Sequence, residues 1–340
     1  MQSRDILILR GEEVGSLLRD RELDLIDLIG RAYVAHGRGH SSLPHSSFLL
    51  FPHRQRDRII ALPAYLGEQF EVAGIKWIAS FPENIDHGVE RASAVLILNS
   101  MDTGRPEVIM ESSLISAKRT AASAALAART LHGTAAPASI GFIGCGLINY
   151  QIAKFLLAVW PAVRAFSVFD LSESRARQFG KDVLRLSSEL KVDVADSTEA
   201  VLRENQVVSF ATTAAKPHVP DLSICPPQST LLHVSLRDIA PEAILESENI
   251  VDDSDHIFQA NTSVHLAEQS VGHREFITGT LAEVLLGEKV VKRDRPVVFS
   301  PFGLGVLDVA VAKLVTTLAI DGKVGTVLES FIPDTALAKL

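Results

Sequence analysis

The spacing of apolar and polar positions along the chain changes character once, near residue 116. A short apolar run at 6–9 predicts a strand, after which Leu17, Leu18, Leu25, Leu28 and Ile29 recur at roughly helical spacing. Extended runs follow at 47–51, 58–65, 72–80, 94–99 and 107–111, separated by turn signals such as Asp102-Thr103-Gly104. This region predicts a mostly antiparallel sheet. Within it Trp77, and later Trp160, read as core residues.

After Ser116 the string AKRTAASAALAARTL consists of strong helix formers and ends at Gly133 and Pro137. It predicts a helix leading into a second domain. Beyond it, strands at 139–143, 165–169, 192–194, 207–211, 231–234 and 250–251 alternate with helical segments, as in a parallel sheet with helices on both faces. A last apolar helix is expected from Gly303 to about Ile320, returning to the first domain. The expected fold class is α/β, with a Rossmann-type doubly wound parallel sheet at 121–304. The remainder, 1–120 completed by 305–340, is expected to form an α+β domain with mostly antiparallel sheet.

Composition narrows the function classes. With 340 residues, 47% hydrophobic and 22% charged, the chain can bury a core in each of two domains. The 33 basic and 41 acidic residues give a net charge of −8, and the basic residues are scattered, which argues against a nucleic-acid partner. Two cysteines, Cys145 and Cys225, make no disulfide framework and fit a reducing cytoplasm. The opening residues show no signal or transit pattern, and no apolar run reaches the roughly 18 residues of a membrane span. A soluble cytoplasmic protein without membrane contact is expected.

The sharpest motif is Ser139-Ile-Gly-Phe-Ile-Gly144-Cys-Gly146-Leu-Ile-Asn149, placed between a predicted strand and a predicted helix. Gly144 would allow the tight turn, and Gly146, with Leu147 and Ile148 behind it, would bring backbone to a pyrophosphate at the helix N-terminus. Asn149 replaces the third glycine, and a plain strand-to-helix turn is the alternative reading. Asp170 ends the next strand, 26 residues past Gly144, where a carboxylate binds ribose hydroxyls; this favours NAD over NADP. Asp170 also fits a cap for the following helix. Thr212, Thr213 and Ser235 follow strand ends and are expected on the nicotinamide side, although short polar residues also simply end strands.

Two cations stand out in the first domain. Lys76 interrupts an apolar strand, where an ammonium needs an anionic partner. Arg119, read near the start of the Ala-rich helix, opposes the helix dipole and is suited to gripping a carboxylate. An internal salt bridge is the alternative for each. Asp238 follows a predicted strand end and is a candidate for the same cleft, or else a turn residue. His36 and His40 lack a third ligand, so no metal site is expected. Cys145 reads as a small residue in a tight turn.

Taken together, Gly-Ile-Lys76-Trp-Ile, Glu90-Arg91-Ala92-Ser93, Met110-Glu111-Ser-Ser-Leu-Ile-Ser116-Ala-Lys-Arg119-Thr120, Gly141-Phe-Ile-Gly144-Cys-Gly146, Ser235-Leu-Arg-Asp238-Ile and Val251-Asp252-Asp253 resemble the ornithine cyclodeaminase/μ-crystallin family over nearly the whole chain. The Ile-Gly-Cys-Gly-Leu-Ile and Glu-Arg-Ala-Ser strings resemble those of its N-(2-amino-2-carboxyethyl)-L-glutamate dehydrogenases, which serve 2,3-diaminopropionate supply for siderophores and antibiotics. The resemblance implies a homodimer, NAD in the second domain, and substrate binding and dimerisation by the first. It also implies a pyridoxal-phosphate-dependent synthase as pathway partner. Lys76 and Arg119 would hold a substrate carboxylate, Thr120 would approach the cofactor, and Asp238 would be the catalytic base. Arg91 and Arg237 are candidates for the remaining carboxylates. The implied reaction is oxidative hydrolysis of the conjugate to 2-oxoglutarate, L-2,3-diaminopropionate and NADH. Ornithine cyclodeaminase, alanine dehydrogenase and a non-catalytic crystallin-like binder are the alternatives. The segments His45-Ser46-Ser47-Phe48 and Leu236-Arg237-Asp238-Ile239 depart from the ornithine-type pattern.

Overall fold

The computed structural model describes residues 4–333. The chain forms two compact units. One contains the residues up to Arg21, Ala35–Arg119 and those from Leu304 onward; the other contains Glu22–Val34 and Thr120–Gly303.

The first unit is built on an eight-stranded sheet. Strands Arg54–Leu66, Val72–Ser80, Ala92–Asn99 and Pro106–Glu111 pair antiparallel in sequence order, the chain turning back between neighbours and once passing through the short helix Pro82–His87. Ile6–Leu9 joins the far side parallel to Pro106–Glu111, and Thr326–Leu328, which the pattern of the sequence does not reveal, pairs antiparallel with it. The helix Gly305–Gly322 packs on Arg54–Leu66, Val72–Ser80 and Ala92–Asn99. Gly305 has no room for a side chain larger than hydrogen without pressing on Ala64 and the Leu62 carbonyl, so the helix start lies close on the sheet. Trp77 departs from its expected place in the core and is 42% exposed. Side chains alternate along a strand, so with Lys76 directed into the buried face its neighbour must point out.

The second unit carries an eight-stranded sheet whose pairings are all parallel, a Rossmann-type doubly wound sheet. Ile140–Ile143 lies between Ala165–Phe169 and Val207–Phe210, so strand order reverses there. The crevice beyond the carboxyl ends at such a reversal is where open α/β sheets bind ligands. Two strands escape the sequence reading, Ile277–Thr280 at the edge and Val297–Ser300, inserted between Thr230–His233 and Glu248–Val251. The segment Glu22–Val34 belongs with this unit through the Tyr33 and Ser123 hydroxyls, 2.7 Å apart, and the ion pairs of Asp27 with Arg129 and Glu22 with Lys154.

The helix containing Arg119 begins at Ser113, four residues before the expected start at Ala117. The Glu111 carboxylate accepts the Ser113 and Leu114 N–H groups and so caps it. Arg119 therefore sits in the second turn, beyond the reach of the helix-end charge, and its position has a different cause.

Candidate functional site

In the second unit the glycine turn has the geometry its sequence suggests. Gly144 has φ +88°, its N–H donates to the Phe169 carbonyl at 2.8 Å, and a Cβ there would lie 2.5 Å from the Ala211 carbonyl oxygen. Only glycine fits. Gly146 precedes the helix Leu147–Val159, and a Cβ built on it would meet nothing within 4 Å, so backbone is open to a ligand there. Leu147 and Ile148 open that helix, Leu147 exposed and Ile148 half-buried. Asn149 is fully buried in place of the third glycine. Its amide donates to the Ile143 and Gly144 carbonyls at 3.0 and 2.7 Å and accepts the Ser209 hydroxyl at 2.7 Å. Asn149 thus locks the turn to two strands, a tighter link than glycine packing offers.

Asp170 accepts the Cys145 N–H at 2.9 Å and the Ser172 N–H at 2.9 Å. Each carboxylate oxygen retains a further lone pair for a ribose hydroxyl. Burial and the neighbouring Asp170 charge push the Cys145 thiol up to about 12, so it stays protonated and structural. These features suit a dinucleotide: an open backbone turn for a pyrophosphate, and an acceptor at the end of the adjacent strand.

Asp238 is fully buried at the carboxyl side of the same sheet and gathers two sequence-predicted residues, Thr212 and Ser235, whose hydroxyls both donate to its carboxylate. Two histidines absent from the sequence-based candidates complete the cluster. His218 Nε2 lies 3.2 Å from Asp238 Oδ1, and His233 Nε2 lies 3.3 Å from Oδ2. The Asp238 backbone clamps the same loop by accepting the His218 N–H at 2.8 Å. Although burial opposes its charge, these hydrogen bonds hold the Asp238 carboxyl far below the usual carboxylate range. A carboxylate so stabilised is a poor base. The titratable group beside it is the exposed His218, whose imidazole is raised by its bond to Asp238. Thr213 is exposed, and Thr120 lies half-buried in the helix Ser113–Leu131. Arg237 donates to the Ala260 carbonyl at 2.7 Å, which ties its loop to the one after the strand Glu248–Val251.

In the first unit, Lys76 and Arg119 converge on one residue that sequence reading missed. Lys76 Nζ donates to Asp308 Oδ2 at 2.7 Å and to Ser116 Oγ at 3.3 Å, and Arg119 Nε donates to Asp308 Oδ1 at 3.1 Å. The internal ion pair allowed as an alternative is therefore present, yet two cations share one carboxylate and a positive charge is left over. Burial, with repulsion from Arg119, brings the Lys76 ammonium down to about 8 despite Asp308. Arg91 Nη1 donates to Ser80 Oγ at 3.2 Å. Among the described residues no group of three or more His, Cys, Asp or Glu side chains could hold a metal ion, and no helix is long and apolar enough to cross a membrane.

Comparison with known proteins gives this arrangement relatives. The profile of the ornithine cyclodeaminase/mu-crystallin family matches residues 5–323. The chain is 25% identical to N-((2S)-2-amino-2-carboxyethyl)-L-glutamate dehydrogenase of Staphylococcus aureus, covering 97% of this chain and 100% of that protein. Its structure is similar to the crystal structure of CmnK, with TM-score 0.87, 32% identity and coverage of 96% and 99%. It is also similar to an archaeal alanine dehydrogenase dimer with bound NAD, with TM-score 0.85, 26% identity and the same coverage.

Proposed function

The chain belongs to the ornithine cyclodeaminase/mu-crystallin family, and from that premise we propose that it is an NAD-dependent amino-acid dehydrogenase acting on a secondary amine, N-(2-amino-2-carboxyethyl)-L-glutamate. The observation that carries this reading is the surplus of buried cation over carboxylate at Lys76, Arg119 and Asp308, a site made for a substrate carboxylate. Similarity to the staphylococcal dehydrogenase supports the finer substrate.

Gly144, Gly146 and the N-terminus of Leu147–Val159 hold the cofactor pyrophosphate, and Asp170 holds a ribose. Thr120 and Thr213 are assigned to the cofactor as well. When bound, NAD accepts the hydride from the substrate. Lys76 and Arg119 grip the glutamate α-carboxylate and fix the direction of its Cα–H bond, so orientation is their main contribution. The hydride leaves Cα as the nitrogen lone pair forms a C=N bond. Water then adds to that carbon, giving up a proton to His218, while Asp238 stabilises the imidazolium that forms. Asp238, the base expected from the sequence, acts in this scheme as the anion of a proton-transfer pair. Cleavage of the C–N bond, with proton return to nitrogen, releases 2-oxoglutarate and L-2,3-diaminopropionate. The reading includes a homodimer, supported by exposed Phe48, Leu49 and Leu50 on the strand Ser47–Phe51.

The test is to mix the protein with NAD and the synthetic conjugate and follow NADH absorbance. One NADH and one 2-oxoglutarate per conjugate are expected. No absorbance change with folded, NAD-binding protein overturns the assignment, and NADH from L-alanine alone, or proline from ornithine without NADH, replaces it.

A further inference from the structure

A second concentration of positive charge lies on the sheet of the first unit. Arg58 is paired directly opposite Ser80 across the strands Arg54–Leu66 and Val72–Ser80. Directly opposed residues share a face, so Arg58 and Ser80 point the same way. The buried Ser80 hydroxyl accepts Arg91 Nη1 at 3.2 Å, which brings the second guanidinium to that face. Lys76 lies four residues before Ser80 on the same strand, and an even spacing puts it on the same face too. At strand rise the two positions are roughly 13 Å apart, a span that long cationic side chains and a glutarate-sized diacid can bridge.

Arg58 and Arg91 differ from the other cations of the face in having no ion-paired carboxylate among the described residues. Lys76 and Arg119 have Asp308, whereas among the described residues no carboxylate forms an ion pair with Arg58 or Arg91. Both are half-buried, burial lowers both guanidiniums, and Arg58 repels Arg91. Two partly desolvated like charges side by side are unfavourable until an anion joins them.

We propose that Arg58 and Arg91 form a second anion subsite, which takes the side-chain carboxylate of a dicarboxylic amino acid whose α-carboxylate is held at Lys76 and Arg119. This rests on the amino-acid dehydrogenase reading above and deepens it, because it makes the pair the determinant of an acidic substrate. A neutral or cationic tail, as in alanine or ornithine, leaves both guanidiniums uncompensated and is selected against by that loss.

The experiment measures dissociation constants of NAD-saturated protein for 2-oxoglutarate and for 2-oxobutyrate, which lacks the distal carboxylate. Wild-type protein is expected to favour 2-oxoglutarate by about 10- to 100-fold, the range for charge-assisted hydrogen bonds. Arg58→Gln is expected to bring the ratio towards one while leaving 2-oxobutyrate affinity unchanged, and Arg58→Lys to recover part of it. Arg91→Gln provides the same comparison if the first variant melts early. A wild-type ratio near one, no binding of either acid, or a ratio untouched in Arg58→Gln overturns the proposal. So does weaker self-association in Arg58→Gln at an unchanged ratio, the sign that a carboxylate of a second copy fills the subsite. NADH production from the conjugate with an unaffected ratio would remove the subsite and leave the function standing. An Arg58-dependent ratio without NADH from the conjugate would do the reverse.

Discussion

Asp308 in the first unit and Asp238 in the second are both fully buried, but their surroundings answer the charge differently. Asp308 faces two cations, Lys76 and Arg119, and the group as a whole stays positive. Asp238 is held by the hydroxyls of Thr212 and Ser235 and by imidazoles, so its negative charge is hydrogen-bonded without being neutralised. The first arrangement attracts an anion. The second keeps an anion ready to stabilise a proton on a neighbouring ring. Burial of a carboxylate alone does not define a role; the charge of its donors does.

The largest effect is expected from breaking the first arrangement. Asp308→Ala leaves Lys76 and Arg119 buried and uncompensated and should cost about 3–5 kcal/mol of stability, read as a lower urea midpoint. In the second unit Asp238→Asn preserves shape but removes the charge. It should lower kcat by about 10²- to 10⁴-fold with NAD affinity retained, whereas a non-catalytic binder would show no change.

A subtler test follows both arrangements with pH. The rate kcat/KM should be bell-shaped. Its rising limb reports His218 losing its proton, above the ordinary imidazole value because Asp238 favours the charged ring. In Asp238→Asn this limb should move to lower pH. The falling limb should lie near pH 8, where Lys76 loses the charge proposed to hold the substrate carboxylate. Stability must change in the other direction over that range. The folded-state value of Lys76 is depressed from 10.5 to about 8, so the unfolded chain binds more protons between these values and stability from this group rises with pH. A loss of activity near pH 8 without a fall in the melting temperature would separate titration of Lys76 from unfolding.

The geometry of the glycine turn was legible because its constraint is local. Gly144 needs a positive φ within a few residues of the strand end, and Asp170 follows the next strand of the repeating unit. Lys76 was legible as a charge inside an apolar strand, and Arg119 was singled out as a cation near a helix start, although the helix begins a turn earlier, at Ser113. Their partner was not, since Asp308 is 232 positions from Lys76 in a helix read only as apolar. His218 escaped notice for a related reason: the loop carrying it has no regular period, and only the fold brings the ring to Asp238. Val297–Ser300 is a four-residue strand of three apolar residues and a serine, with no alternation to classify it.

The sequence by itself determined the change from antiparallel meander to alternating strands and helices, the glycine turn, and which side chains are chemically out of place. Those properties depend on backbone sterics and on the period of side-chain direction, both of which act over a few residues. Tertiary structure alone decided which charges meet: Asp308 between two cations, His218 on Asp238, and Arg58 beside Arg91 with no ion-paired carboxylate among the described residues. Electrostatic partnership depends on distance in space and on the water removed from around each group, and neither quantity is written in the spacing of residues along the chain.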